Sequence, residues 1–301
     1  MTDTARTNAV SRYTERRPES ASALDFFARL WDLQDEIAEA APDWETPSDE
    51  DARAAIGRHQ TLFSLGAPQI DDAVFADAAS RVASLLADDG GLGPEDAEAL
   101  RSLDFAELLE KGEAQRVIDE LDVLATDITT RAAEKGIAVP TSTVSFVLMN
   151  AATPLLRAAA KSAIGALGTA FDWTLWDSGL CPVCGTPASS GWVADEGELK
   201  GGERLLSCPL CRASWGFTRV RCARCGERDH SKLEYLFDEE DPGHRIHTCK
   251  TCHGYIKVAF EKEVGMGIRP PVEEVVMLSL DRVAEARGFT PLGDQDEESA
   301  N

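Results

Sequence analysis

All eight cysteines of the chain lie between residues 181 and 252, and they form four C-x-x-C pairs. These pairs are Cys181/Cys184, Cys208/Cys211, Cys222/Cys225 and Cys249/Cys252. A shift of 41 residues carries the first two pairs onto the last two, and it also carries Gly185 onto Gly226 and Arg204 onto Arg245. The stretch therefore contains two copies of one module with the pattern C-x2-C-x23-C-x2-C.

The spacing of the cysteines predicts two metal sites. Two thiolates in a C-x-x-C turn can hold one ion, and a second pair completes a tetrahedral four-sulfur site. Such a site suits Zn²⁺ or a single rubredoxin-like iron, and the donor set does not separate the two. The duplication favours sequential pairing, with a cross-braced arrangement as the alternative. In sequential pairing Cys181, Cys184, Cys208 and Cys211 hold one ion and Cys222, Cys225, Cys249 and Cys252 hold the other.

Two other uses of the cysteines fit the sequence less well. Four disulfides would need an oxidising compartment, and no signal peptide is visible. Arg16-Arg17 is followed by Pro18-Glu19-Ser20 and not by an apolar segment, so we expect no export signal and a cytoplasmic protein. Thiol redox catalysis would need one C-x-x-C in a βαβ context and not four copies.

The composition indicates a globular protein with an acidic surface. The net charge is −23, and only 8 of the 30 basic residues are Lys, which resembles proteins of salt-loving cytoplasms. No run of 18 apolar residues occurs, so we expect no membrane insertion, and the most hydrophobic stretch, residues 158–176, reads as a buried helix.

The order of patterns predicts an α+β fold: a mainly α N-terminal domain, two small β-rich zinc-ribbon or rubredoxin-like modules, and a C-terminal helix. The expected boundaries are 1–20 for a loosely ordered N-terminus, 21–178 for the helical domain, 179–219 and 220–262 for the two modules, 263–290 for the C-terminal helix, and 291–301 for a disordered acidic tail. Pro154 is expected to divide the segment from Thr141 to Trp176 into two helices. The C-terminal helix is expected to run from Val272 to Arg287.

No motif of a known catalytic class is present, such as a phosphate-binding loop, a dinucleotide fingerprint or a metalloprotease helix. We therefore expect a protein that is not an enzyme and has no catalytic residues. His247 and His253 flank the last C-x-x-C pair, and we expect them beside the metal site and not among its ligands.

Several arginines surround Cys222, and four of them are candidate partner-binding residues: Arg219, Arg221, Arg224 and Arg228. Basic residues on a zinc ribbon are also typical of nucleic-acid binding, which is the alternative function. The net charge of −23 weighs against nucleic acid and favours an acidic protein partner or neighbouring helices.

The motifs between residues 175 and 290 resemble one known family. They are Cys181-Pro-Val-Cys-Gly-Thr-Pro, Leu206-Ser207-Cys208-x-x-Cys211-x-x-x-Trp215, Thr218-Arg219-Val220-Arg221-Cys222-x-x-Cys225, Thr248-Cys249-x-x-Cys252-x-x-Tyr255-Ile256-Lys257, and Glu274-Val275-x-x-Leu278-x-Leu280-Asp281 followed by Gly288-Phe289. This series is similar to the FdhE family, the accessory proteins of formate dehydrogenase. Over residues 20–170 the likeness rests only on a helical region of similar length that is poor in motifs.

The resemblance implies a cytoplasmic maturation factor that contacts the molybdenum- or tungsten-containing catalytic subunit of formate dehydrogenase. It also implies rubredoxin-like iron on the eight cysteines. Two departures from the family pattern, a loop one residue shorter before Pro187 and Glu274 where Asp is common, do not involve a cysteine. The oligomeric state is not predicted.

Overall fold

The computed structural model describes residues 4–194, 204–265 and 267–292. Helices make up the chain as far as residue 167. They are α1 (Thr4–Arg16), α2 (Ala21–Ile37), α3 (Asp49–Gly57), α4 (Asp72–Asp89), α5 (Pro94–Arg101), α6 (Phe105–Leu108), α7 (Leu121–Glu134) and α8 (Thr141–Leu167). Ser48 and Asp71 cap the first turns of α3 and α4 with their side-chain oxygens, as their residue types favour.

Helix α8 is the centre of the helical region, and it contacts α2, α3, α4 and α7. It is long and apolar enough to cross a membrane by length and composition, but 67% of its apolar window is buried inside the protein. The largest hydrophobic core of the protein forms around α8 and continues under the first C-x-x-C module.

The predicted break at Pro154 is wrong, because α8 continues through it. Proline cannot donate the hydrogen bond that would normally reach the carbonyl of Asn150. Gln34 of α2 supplies the missing donor, since its Nε2 lies 2.9 Å from that carbonyl and 3.1 Å from Oδ1 of Asn150. A buried side chain from a neighbouring helix thus satisfies the group that the proline leaves open.

The N-terminal segment also differs from the prediction, because residues 4–16 form helix α1 in place of a loosely ordered end. Tyr13 is 3% exposed, and its hydroxyl donates to Oε2 of Glu273 at 2.6 Å. The same oxygen lies 2.8 Å from Nε2 of His244, whose Nδ1 lies 2.8 Å from Asp241. Arg17 pairs with Asp241. This buried polar network fixes α1 to the second module and to the C-terminal region.

Six strands form one sheet. They are β1 (Ser190–Val193), β2 (Arg204–Ser207), β3 (Ser214–Phe217), β4 (Leu233–Asp238), β5 (Asp241–Cys249) and β6 (Tyr255–Phe260). Their order is β3-β2-β1-β6-β5-β4. Neighbours within each module are antiparallel, whereas β1 and β6 pair in parallel, with Ser190 opposite Lys257. The two copies of the module therefore share a continuous sheet, with β3 and β4 at its edges.

Three short helices follow the sheet: α9 (Glu261–Val264), α10 (Pro270–Val276) and α11 (Leu278–Glu285). The single helix predicted from Val272 to Arg287 is thus broken at Met277, which is fully buried. The break allows two packing directions. Helix α10 contacts α1, α2 and β1, while α11 contacts β5. The predicted acidic tail falls mostly at residues 293–301, outside the described residues.

Candidate metal centres

The structure brings the eight cysteines into two groups of four, and the grouping follows the sequential pairing. Within each group the four sulfur atoms lie within 4.8 Å of one another. In the first group Sγ of Cys181 lies 3.5 Å from that of Cys211, and Cys184 lies 3.5 Å from Cys208. Four sulfurs bound tetrahedrally at about 2.3 Å from one ion would be about 3.8 Å apart. The first group therefore needs only a slight expansion to hold a metal ion.

The second group has the same arrangement 41 residues further along the chain. Sγ of Cys222 lies 3.8 Å from that of Cys252, and Cys225 lies 3.7 Å from Cys249. These two separations lie within about 0.1 Å of the tetrahedral spacing. Both groups thus fit Zn²⁺ or a single iron ion, each of which four thiolates can hold.

The same local turn places the sulfurs in all four C-x-x-C pairs. The amide of the first cysteine donates to the carbonyl five residues later: Cys181 to Thr186, Cys208 to Ala213, Cys222 to Glu227, and Cys249 to Gly254, all at 2.9 Å. The residue after the second cysteine has a positive φ in every case, at Gly185, Arg212, Gly226 and His253. Glycine adopts that conformation without strain, so the sequence repeat of Gly185 and Gly226 reflects a backbone need.

Backbone amides also point at the sulfurs. Val183 donates to Sγ of Cys181 at 3.4 Å, and Cys211 donates to Sγ of Cys208 at 3.4 Å. In the second group Arg224 donates from its backbone to Sγ of Cys222 at 3.3 Å. Such bonds stabilise thiolates and are common around bound metal ions.

Burial opposes full ionisation of the thiols when no cation is present. It raises the pKa of both Cys181 and Cys211 well above the usual range of a thiol, and it raises the pKa of Cys225 to about 11. A divalent or trivalent cation would compensate for the thiolate charges that burial disfavours. The chemistry of the donor set therefore fits a metal ion in each group.

The two centres differ in exposure. All four cysteines of the first group are at most 4% exposed, whereas Cys225 is exposed and Cys252 is half-buried. The helical region covers the first centre, because Leu62 and Phe63 donate their amides to the carbonyls of Pro182 and Val183 at 2.8 and 2.9 Å. Solvent and other molecules can thus approach the second centre more directly.

The four predicted partner-binding arginines lie around the second centre but have different surroundings. Arg221 and Arg228 both pair with the carboxylate of Asp177, at the end of the helical region. Arg219 is exposed and lies 5.9 Å from the ring centroid of Phe260. Arg224 is half-buried, and its Nε and Nη1 are buried without a hydrogen-bond partner among the described residues. Two of the four arginines are therefore engaged in holding the second module to the helical region.

Three further polar residues face the same region, and the sequence-based site omitted them: Arg204, Arg245 and His247. Arg204 is 1% exposed, and its Nη2 donates to the carbonyl of Arg221 at 2.9 Å. Arg245 lies 3.9 Å from the ring centroid of Phe260. The 41-residue shift that relates Arg204 to Arg245 was a usable signal, because it marked these arginines as a repeated feature of the module.

Comparison with known proteins identifies the first module. The FdhE central domain matches residues 180–219, which contain the complete first cysteine group. A protein of Aquifex aeolicus named "Protein FdhE homolog" is 33% identical over 119 residues, and one of Shewanella oneidensis with the same name is 34% identical over 111 residues. The predicted resemblance to the FdhE family is confirmed.

A likeness in fold to one FdhE protein extends over nearly the whole chain. The crystal structure of the FdhE protein from Pseudomonas aeruginosa covers 97% of this chain, and this chain covers 95% of that one, with a TM-score of 0.57 and 20% identity. In the sequence alignments the chain spans only 41% of the Aquifex protein and 35% of the Shewanella protein. The α+β fold of this chain is thus similar to the fold of that FdhE protein.

Proposed function

We propose that this chain is a cytoplasmic accessory factor that docks the catalytic subunit of a formate dehydrogenase and carries one metal ion in each four-cysteine centre. The observation that carries the proposal is the FdhE central-domain match over residues 180–219, because it coincides with the complete first cysteine group. The fold, the paired centres and the names of the relatives agree with this function. In this proposal the protein performs no catalysis.

The metal ions would act structurally in the first instance. Each module is too small to form a self-sufficient hydrophobic core, so metal binding should supply part of its folding free energy. The eight cysteines would be the ligands, with Zn²⁺ or rubredoxin-like iron bound. Iron would add the ability to take up or release one electron at each centre, and the more exposed second centre is better placed for exchange with a partner.

The docking surface would lie on the second module. Strand β4 is an edge strand, and its Tyr235 and Phe237 are 56% and 46% exposed. Arg245 lies 5.6 and 5.4 Å from these two rings, and Arg219 is exposed nearby on the face of Phe260. Exposed aromatic residues beside arginines are typical of protein interfaces. Together with Arg224, they would form a positively charged surface for an acidic partner, whereas Arg221 and Arg228 would hold the module in place through Asp177.

The test is copurification with the catalytic subunit of the formate dehydrogenase from the same organism. Tagged protein should retain that subunit through size-exclusion chromatography. The double variant Tyr235→Ser/Phe237→Ser and the variant Arg219→Glu should each lose it. Val123→Ser is the matched control, because Val123 is 52% exposed on α7 of the helical region. Retention by all variants would refute the surface, and failure of the unaltered protein to retain the subunit would refute the function.

Nucleic-acid binding is the competing outcome of the same set of variants. It predicts a gel shift with DNA or RNA that weakens strongly as salt rises and that Arg219→Glu abolishes. Because Arg221 and Arg228 are paired with Asp177, fewer arginines are free for phosphate contacts than the sequence alone indicates. We therefore favour the protein partner.

A further inference from the structure

A cleft of about 310 Å³ lies beside the second cysteine group. Residues of this group and of strand β4 form only part of its lining. Its lining includes the side chains of Arg204, Arg219, Arg224, Arg245 and His247. Cys222 and Cys249 also border it. Ligand sites in proteins are usually clefts of this size or larger, with a few converging polar groups. The concentration of arginines in one cleft is unexpected in a chain with a net charge of −23.

Four nitrogen atoms on residues that line this cleft are buried and lack a hydrogen-bond partner within the described part of the chain. They are Nε of Arg204, Nε and Nη1 of Arg224, and Nε2 of His247. Buried polar groups in folded proteins almost always have partners, and an unpaired charged group is especially costly. A cluster of unpaired groups at one cleft therefore points to a ligand.

All four of these nitrogens are donors. Nη1 of Arg204 lies 3.3 Å from Nδ1 of His247. Because arginine can only donate, Nδ1 of His247 is the acceptor in this contact. Nε2 of the same ring is then the nitrogen that carries the hydrogen, so it is a donor as well. These donors have no acceptor within the described part of the chain, and an electron-rich ligand atom is the partner that they lack. The cleft also contains one carboxylate, that of Glu234, which pairs with Lys250.

The charges around the cleft also favour an anion. Two of the cleft arginines have carboxylate partners, because Arg245 lies 3.6 Å from a carboxylate oxygen of Glu263 and Arg221 pairs with Asp177. For Arg204, Arg219 and Arg224 no ion pair is found in the ranges that the structure describes. The local positive charge is therefore only partly offset.

The remaining walls are apolar and aromatic. Phe260, Tyr235, Ile256 and Leu233 line the cleft, and Phe260 has Arg245 and Arg219 near its ring. These walls suit a flat organic group next to the anionic group. Three cleft arginines have no carboxylate partner among the described residues, and they match a doubly charged phosphate better than a singly charged carboxylate.

We propose that this cleft is a binding site for a small phosphate monoester, whose phosphate accepts hydrogen bonds from Arg204, Arg219, Arg224 and His247 while its organic part packs on Phe260 and Tyr235. The proposal does not depend on the docking of a dehydrogenase subunit. It places a small-molecule site next to the more exposed metal centre.

The test uses isothermal titration calorimetry on the full, metal-loaded chain at constant ionic strength. The probes are phenyl phosphate, inorganic phosphate and benzoate. The variants Arg219→Gln and Arg224→Gln each remove one cleft guanidinium. Arg228→Gln is the matched control, because it removes the same charge from the same loop but Arg228 pairs with Asp177 and does not line the cleft. Metal content and melting temperature are measured for every variant.

We expect saturable binding with one site, tighter for phenyl phosphate than for either inorganic phosphate or benzoate. Arg219→Gln and Arg224→Gln should each weaken phenyl phosphate binding by at least about tenfold, whereas Arg228→Gln should leave it within about twofold. If Arg224→Gln changes the metal content, Arg219→Gln decides, because Arg219 is exposed and makes no bond to a cysteine. Absence of saturable binding, equal weakening by Arg228→Gln, or equal affinity for benzoate would overturn the proposal.

Discussion

The unequal cover of the two centres predicts unequal metal release. The first centre can open to a chelator only if the turn at Pro182 and Val183 separates from Leu62 and Phe63. This separation breaks two backbone hydrogen bonds, each worth about 1 kcal/mol, and exposes the fully buried side chain of Val183, worth about 2 kcal/mol. The second centre needs no such separation, because Cys225 is already exposed.

A difference of about 4 kcal/mol corresponds to a roughly thousandfold difference in the population that is open to attack. The assay adds an excess of chelator to zinc-loaded protein, alkylates the released thiols at intervals and identifies them by peptide mass spectrometry. Peptides with Cys222, Cys225, Cys249 and Cys252 should be labelled first. Rates within about tenfold of each other, or earlier labelling of the first group, would refute the reasoning.

One variant tests whether the packing of Val183 is what slows the opening of the first centre. Val183→Ala removes two buried methyl groups and should lower the opening free energy of the first centre by about 2 kcal/mol, which speeds its labelling roughly thirtyfold. Val220→Ala is the control, because Val220 is 54% exposed and lies close to the second centre. Val220→Ala should change neither rate.

Four further substitutions test other contacts. Glu113→Gln should lower the free energy of unfolding by about 2–3 kcal/mol at pH 7, because Arg131 and Arg116 hold the pKa of Glu113 at about 2. Since the folded-state pKa lies below the unfolded value, the difference in stability from wild type should shrink in urea titrations as pH falls from about 4.5 towards 2. A difference that stays constant with pH would contradict the ion pair. Tyr13→Phe should lower the free energy of unfolding by about 1.5–3 kcal/mol, because it leaves Glu273 without one donor. Limited proteolysis near Arg17 should become faster. An unchanged rate of proteolysis would show that α1 is held by other contacts. Gly179→Ala should destabilise by at least about 2 kcal/mol, because an added Cβ would lie 1.7 Å from the carbonyl oxygen of Ala223. Gly165→Ala, in an open position of α8, should instead raise the melting temperature through a gain of about 0.5–1 kcal/mol, and the opposite order of these two glycine variants would contradict the structure.

The cysteine spacing predicted much of the site, because the direction of each sulfur depends on residues close to it in the sequence. A C-x-x-C turn fixes the direction of two sulfurs within a few residues, and the 41-residue repeat indicated which pairs meet. The strand positions around Trp215 and Tyr255 followed in the same way from runs of aromatic and β-branched residues. The helical character of residues 21–167 was equally visible in the apolar periodicity.

The parts that could not be predicted depend on contacts between distant residues. Pro154 does not break α8 because Gln34, 120 residues earlier in the chain, donates to the carbonyl that the proline leaves open. Helix α1 is ordered because Tyr13 meets Glu273 and His244 near the other end of the chain. The parallel pairing of β1 with β6 joins the two modules, and no local pattern in either strand specifies that neighbour. The repeat of Arg204 and Arg245 was visible in the sequence, but the cleft that they line together with Arg219 and Arg224 was not.

Metal stoichiometry by native mass spectrometry tests the central claim most directly. Protein purified without oxygen should carry two zinc or iron ions per chain, and X-ray absorption should find four sulfur ligands at about 2.3 Å around each. Replacing Cys184 or Cys225 with serine should remove or weaken one ion and leave the other in place. A folded protein with no bound metal and eight free thiols, or with a single ion shared by both groups, would contradict the account.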